Sequence, residues 1–75
     1  MIKNEYVIIT TTFNNKEEAN KLIKLLLDEK LVSCCQLSNI ESSYYWENNI
    51  VNEKEYLVKM KTKRNLYKEV EAVIL

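Results

Sequence analysis

Glycine, proline and histidine are all absent from this chain, and only two cysteines occur. Without histidine there is no Cys/His spacing for a structural zinc site. The two cysteines, Cys34 and Cys35, are sequence neighbours and cannot staple distant segments together. Apolar runs such as Leu25-Leu26-Leu27 fall far short of the roughly 20 residues of a membrane span. No apolar segment follows a basic stretch at the N-terminus, so no secretory signal is read. Free thiols without an export signal point to a reducing compartment, and the expected location is cytoplasmic. The formal net charge is zero, which removes the basic surplus that a nucleic-acid partner draws on.

The lack of glycine and proline transfers turn duty to asparagine, at Asn14-Asn15, Asn39 and Asn48-Asn49. Asparagine tolerates the left-handed region better than most residues with a Cβ, so it fills turn positions that glycine would otherwise take. With 75 residues the chain is one domain. A domain of roughly 60 residues buries only about 60% of its unfolded surface and is marginal alone. With disulfide and zinc staples excluded, self-association is the expected support.

Tyr6 to Thr12 is rich in β-branched residues and nearly continuous in apolar character, as a strand covered on both faces would be. Asn15 with Glu18 three residues later is a capping-box pattern opening a helix to about Lys30. Ala19, Leu22, Ile23 and Leu26 fall on one helical face. A second extended segment runs from Leu31 to Trp46, with a bend expected near Ser38-Asn39. Glu47-Asn48-Asn49 reads as a turn, and Ile50 to Thr62 as a third strand. A second helix starts near Lys63, with Leu66, Val70, Val73 and Ile74 as its core stripe. The order β-α-β-β-α defines an α+β, ferredoxin-like chain in split βαβ form without its final strand. The first helix is expected to cross over right-handedly into a parallel neighbour of the first strand. The end at Val73-Ile74-Leu75 is apolar and uncapped. A single domain over 1–75, C-terminally truncated, is therefore expected, or else a partner covers the open edge of the first strand.

Tyr44, Tyr45 and Trp46 form the densest aromatic cluster. In a strand Tyr45 points one way, and Tyr44 and Trp46 the other. A domain this small cannot cover large rings on both faces of one sheet, so the run calls for a second surface, a partner subunit or a ligand. Aromatic density of this kind is what interface cores select, although such rings also stack planar ligands. Cys34 and Cys35 face opposite ways and cannot chelate one ion together; both read first as small core or interface hydrophobes. Glu53 and Glu55 share a strand face, with interleaved Lys54, and read as a solvated edge. Neither has a partner nucleophile, so no hydrolytic triad is assembled. Lys61, near Lys59 and Lys63-Arg64, is the best candidate anion contact, helped by free backbone N–H groups of the helix that follows.

Three local patterns in one order carry a family resemblance: Glu29-Lys30-Leu31-Val32-Ser33-Cys34 at the first helix end, Ser42 to Ile50 with its Tyr-Tyr-Trp-Glu core, and Glu55-Tyr56-Leu57-Val58-Lys59-Met60-Lys61-Thr62. Together they resemble the CutA-type divalent-cation-tolerance proteins, from Tyr6 to Leu75. The resemblance implies a PII-like homotrimer in which the long hairpin reaches across to the next subunit, with Tyr44, Tyr45 and Trp46 at the interface. It implies a non-catalytic role in tolerance or binding of copper or another divalent metal. Cys34 is the one suggested soft-metal ligand remaining by position. The alternative is a PII-like signalling module that holds a small anion or nucleotide in inter-subunit clefts. The chain departs from the family at Ser38-Asn39, where Pro-Gly is usual, at Asn48, where Gly is usual, and at Thr10, a cysteine in some members. The family's later His-Pro-Tyr segment is not present. An RNA-binding ferredoxin-like domain ranks low, because the aromatic pair typical of such domains is missing from the central strands.

Overall fold

The computed structural model describes residues 5–75. Its elements are β1 (Tyr6–Phe13), α1 (Lys16–Asp28), β2 (Cys34–Trp46), β3 (Asn49–Lys63), a 3₁₀ turn at Arg64–Leu66, and α2 (Tyr67–Ile74).

Helix α1 begins where the sequence places its cap. The Asn15 side-chain oxygen accepts from the Glu17 N–H (2.7 Å) and the Glu18 N–H (3.2 Å). These bonds satisfy two of the free donors of the first turn, and Glu17 and Glu18 suit the positive end of the dipole. Ala19, Leu22 and Leu26 line its buried face. The helix stops in a Schellman arrangement: the Leu31 N–H donates to the Leu26 carbonyl (2.9 Å) and the Lys30 N–H to the Leu27 carbonyl (3.0 Å). This closure puts Lys30 at φ 57°, in the left-handed region. A Cβ there costs roughly 1–2 kcal/mol, so Lys30→Gly is expected to raise the urea-unfolding free energy by up to about 1 kcal/mol after glycine's own entropy loss. An unchanged or lower midpoint would show that the left-handed closure is not held in solution.

The sheet has the order β1-β3-β2, and both pairings are antiparallel. The expected parallel neighbour of β1 is therefore corrected: β1 and β2 run parallel, but β3 lies between them. The crossover through α1 skips one strand position, and the hairpin returns β3 into the gap. The expected bend at Ser38-Asn39 is also corrected, because register runs unbroken through Ser38↔Leu57 and Asn39↔Tyr56. What changes there is cover. Strand β1 ends at the pair Phe13↔Tyr56. Beyond it the sheet narrows to a two-stranded ribbon of seven pairs, Ile40↔Glu55 to Trp46↔Asn49. The start of β2 falls at Cys34 instead of Leu31, since Leu31 closes the helix and the Ser33 N–H and hydroxyl both donate to the Lys61 carbonyl.

The ribbon closes through Glu47 (φ 48°) and Asn48 (φ 65°). Two consecutive left-handed residues make a type I′ turn, whose twist matches the flanking strands. The turn thus takes two residues, and Asn49 already belongs to β3. The second helix is delayed likewise: Lys63 stays extended and the Arg64 N–H donates to the Glu5 carbonyl (2.7 Å), so only the 3₁₀ turn precedes Tyr67.

Both helices pack on one face of the sheet. The core joins Ala19, Leu22 and Leu26 of α1 and Val70 of α2 to Val32, Val58 and Met60, with Cys35 and Leu37 half-buried at its margin. Thr62 is the one buried polar residue among those described; its hydroxyl donates to the Leu31 carbonyl (2.5 Å), so neither group is left unpaired. The shape is elongated, 48 × 29 × 19 Å, with a radius of gyration of 14.5 Å. A compact chain of this length would have about 11 Å. The projecting ribbon accounts for the difference.

Candidate functional site

Residues directly opposite in an antiparallel pair project to the same side, so the register defines two faces. The helix-covered face carries Cys35, Leu37, Val58 and Met60. The other, open face carries Tyr6, Ile8 and Thr10 of β1, Cys34, Gln36, Ile40, Ser42, Tyr44 and Trp46 of β2, and Val51 to Lys63 at every second residue of β3.

Cys34 and Lys61, two candidates drawn from separate parts of the sequence, are direct cross-strand partners on this face, with Ile8 on the other side of Lys61. The Lys61 ammonium lies over the Tyr6 ring, 5.3 Å from its centre. Cys34 is exposed, whereas Cys35 is half-buried and its thiol is pushed up, first by burial and then by Cys34 next to it. Among the described residues no group of three or more Cys, Asp or Glu side chains is placed to hold a metal ion. The described residues of one chain therefore do not by themselves group the donors of a metal site.

The aromatic run divides as strand geometry requires. Tyr44 and Trp46 lie on the open face; Tyr45 lies on the helix side, opposite Ile50. The helices end before reaching them. In the single chain Trp46 is 62% exposed, Tyr45 72% and Ile50 71%. Tyr6 and Ile8 extend the uncovered apolar surface toward the base of the sheet. A two-stranded ribbon is marginal in water by itself, so this ribbon needs a second surface.

Two carboxylate contacts were not visible in the sequence. The Ser42 hydroxyl donates to Glu55 (2.6 Å), and the Tyr44 hydroxyl donates to Glu53. The bond to Glu53 holds the Tyr44 phenol above its usual range. A two-residue turn at Glu47-Asn48 sets Ser42 opposite Glu53 and Tyr44 opposite Val51, so each bond runs diagonally to the next same-face residue of β3, whereas a three-residue turn puts those glutamates on the other face. One cleft, of about 580 Å³, wraps the sheet edge beside the N-terminus of α1 and is lined by Asn14, Asn39, Glu41, Lys54 and Tyr56 together with Ile40 and Glu55 of the open face. The other, of about 430 Å³, is lined by Val7, Asn65, Tyr67, Lys68 and neighbours at the outer edge of β1. Neither includes Cys34, Lys61 or Trp46.

A ferredoxin-like chain with one sheet face covered by helices and the other left open, extended by an uncovered aromatic hairpin, is the class that these features define. Residues 7–75 match the family described as CutA1 divalent ion tolerance protein, and the chain belongs to that family. The divalent-cation tolerance protein CutA of Pyrococcus horikoshii is 38% identical over 64 residues, which cover 85% of this chain and 63% of that relative. The chain thus spans less than two thirds of that relative's length. The crystal structure of CutA1 from Ehrlichia chaffeensis superposes with a TM-score of 0.84 at 32% identity, covering 95% of this chain and 67% of that one.

The expected cytoplasmic location is corrected by the same comparisons. The Archaeoglobus fulgidus CutA structure, with a TM-score of 0.81 at 30% identity over 92% of this chain and 68% of that one, is described as periplasmic. The Arabidopsis thaliana relative, 33% identical over 80% of this chain and 34% of its own length, is named chloroplastic. Proteins similar to this chain are thus assigned to more than one compartment. No helix among the described residues is long and apolar enough to cross a membrane.

Proposed function

We propose that this divalent-cation tolerance family member works as a homotrimer that does no covalent chemistry and binds divalent metal, copper among them, with donors from more than one copy. The observation that carries this reading is the uncovered ribbon, with Trp46, Tyr45 and Ile50 largely exposed on the single chain. Copies of the chain are the surface that such a ribbon lacks. Tyr44, Tyr45 and Trp46 are its interface anchors, and Cys34 is the soft donor that each copy offers. A thiolate and its counterparts on other copies select soft or borderline ions.

Light scattering coupled to size exclusion should give three chains per particle. Copper(I) or Zn²⁺ should raise the melting temperature of that particle, and Cys34→Ser should abolish the rise. One bound ion at 100 times its Kd stabilises by about 2.7 kcal/mol, and each 1 kcal/mol moves the midpoint of a domain this size by roughly 4–8 °C. A metal shift that survives Cys34→Ser would sink the role of Cys34. The row Lys59, Lys61 and Lys63 favours a second reading, a small anion or nucleotide held between subunits, with Lys61 as its contact. That reading predicts stabilisation by phosphate compounds and its loss in Lys61→Ala.

A further inference from the structure

The open face is divided by charge. Every charged residue that the three strands place on it belongs to β3: Glu53 and Glu55 lie toward the turn, and Lys59, Lys61 and Lys63 toward the base. Leu57 separates the two groups. Among the described residues none of these five makes an ion pair; the Lys24–Asp28 bridge lies on α1. They stand apart within one chain. The nearest opposite charges, Glu55 and Lys59, are four residues apart, or about 13 Å along a strand rising ~3.3 Å per residue. That exceeds the Debye length of about 8 Å at physiological salt.

We infer that the acidic half of one copy's open face seats on the basic half of the next copy's, so that Glu53 and Glu55 meet Lys59 and Lys61 in a head-to-tail contact. Three observations commit the face to a second copy of this chain. The charges are complementary only between copies. The two pairs share the same two-residue spacing, so both contacts form in one register. Ser42 and Tyr44 hold one oxygen of each carboxylate on this face and leave the other free to accept. The Lys61 ammonium is steadied by the Tyr6 ring while its outer side stays open. A contact between unlike halves is heterologous, and a heterologous contact generates a ring where its rotation closes, as the trimer reading requires. The inference rests on the trimer reading. It gives to the next copy the same lysines that the anion reading gives to a ligand.

The test compares the unmodified chain with three variants by sedimentation equilibrium. Glu53→Lys with Glu55→Lys makes the face uniformly basic, and Lys59→Glu with Lys61→Glu makes it uniformly acidic. Each should weaken assembly by at least about a hundredfold, since like charges then oppose each other across a contact. The fourfold variant that exchanges both pairs should return to within about tenfold of the unmodified chain. Raising salt from about 0.05 M to 1 M should weaken assembly of the unmodified chain, a readout that needs no variant to fold. Half-reversed variants that assemble as tightly as the unmodified chain, or a salt-insensitive trimer, would overturn the charge contact and leave the trimer standing. An unmodified chain that stays single at every concentration would overturn both.

Discussion

Leu26→Ala is expected to leave the chain largely unfolded under conditions in which the unmodified protein is folded. Leu26 is fully buried and sits at the contact of α1 with the sheet, among Ala19, Leu22, Val58, Met60 and Val70. Truncating a buried leucine costs about 2–5 kcal/mol, from lost transfer energy and from the cavity left behind. Only seven hydrophobic residues are buried in the described chain, so little surrounding apolar mass can collapse into the gap. The same residue supplies the carbonyl that closes the helix through Leu31. The cavity therefore opens beside the joint leading to β2. Urea unfolding followed by far-UV circular dichroism, at one fixed protein concentration, measures the effect. A loss below about 1 kcal/mol would mean that α1 is not packed on the sheet as described.

The single-chain core was legible in the sequence because it depends on local pattern. Asn15 and Glu18 announced the start of α1, and Ala19, Leu22 and Leu26 fell on one face at helical spacing. Cys35 and Leu37 against Cys34 and Gln36 followed from strand alternation. The placement of β3 between β1 and β2 was less accessible, since composition does not say which edge a hairpin returns to. The turn was misread by one residue because Asn48 and Asn49 are chemically alike; only backbone angles show that Glu47 and Asn48 take the left-handed region. That single residue set the ribbon's register and therefore hid the Ser42–Glu55 and Tyr44–Glu53 contacts. Cys34 and Lys61 were picked out separately, one as a soft donor and one as a cation. Their being cross-strand partners follows from a pairing 27 residues apart that no local pattern encodes. The open face itself was foreshadowed by the aromatic run, because side-chain alternation alone forces Tyr44 and Trp46 away from Tyr45.

Trp46→Ala is expected to disperse the assembly while leaving the helix-covered part of each chain folded. Trp46 lies at the last ribbon pair, opposite Asn49, where it is 62% exposed and packs on none of the core residues. Its removal therefore creates no cavity in the single chain. Between copies the position is different. A tryptophan buries 150–250 Å² when covered, by the usual range of about that size for aromatic side chains, and buried interface tryptophans cost roughly 2 kcal/mol or more when truncated. The proposed trimer holds three copies of the residue, so the loss is about 6 kcal/mol per particle. That is roughly four orders of magnitude in the assembly constant, at 1.4 kcal/mol per tenfold. Light scattering should find single chains at concentrations where the unmodified protein assembles, with the helical far-UV signal retained. Because Trp46 is the only tryptophan, its fluorescence reports the contact directly. Emission of the unmodified chain should move to shorter wavelength as concentration rises and the ring leaves water. Tyr44→Phe, which keeps a ring and loses only the bond to Glu53, should assemble nearly as well. A trimer unaffected by Trp46→Ala, or tryptophan emission that stays that of a wet ring in the assembled particle, would show that the ribbon's rings are not what the copies bury.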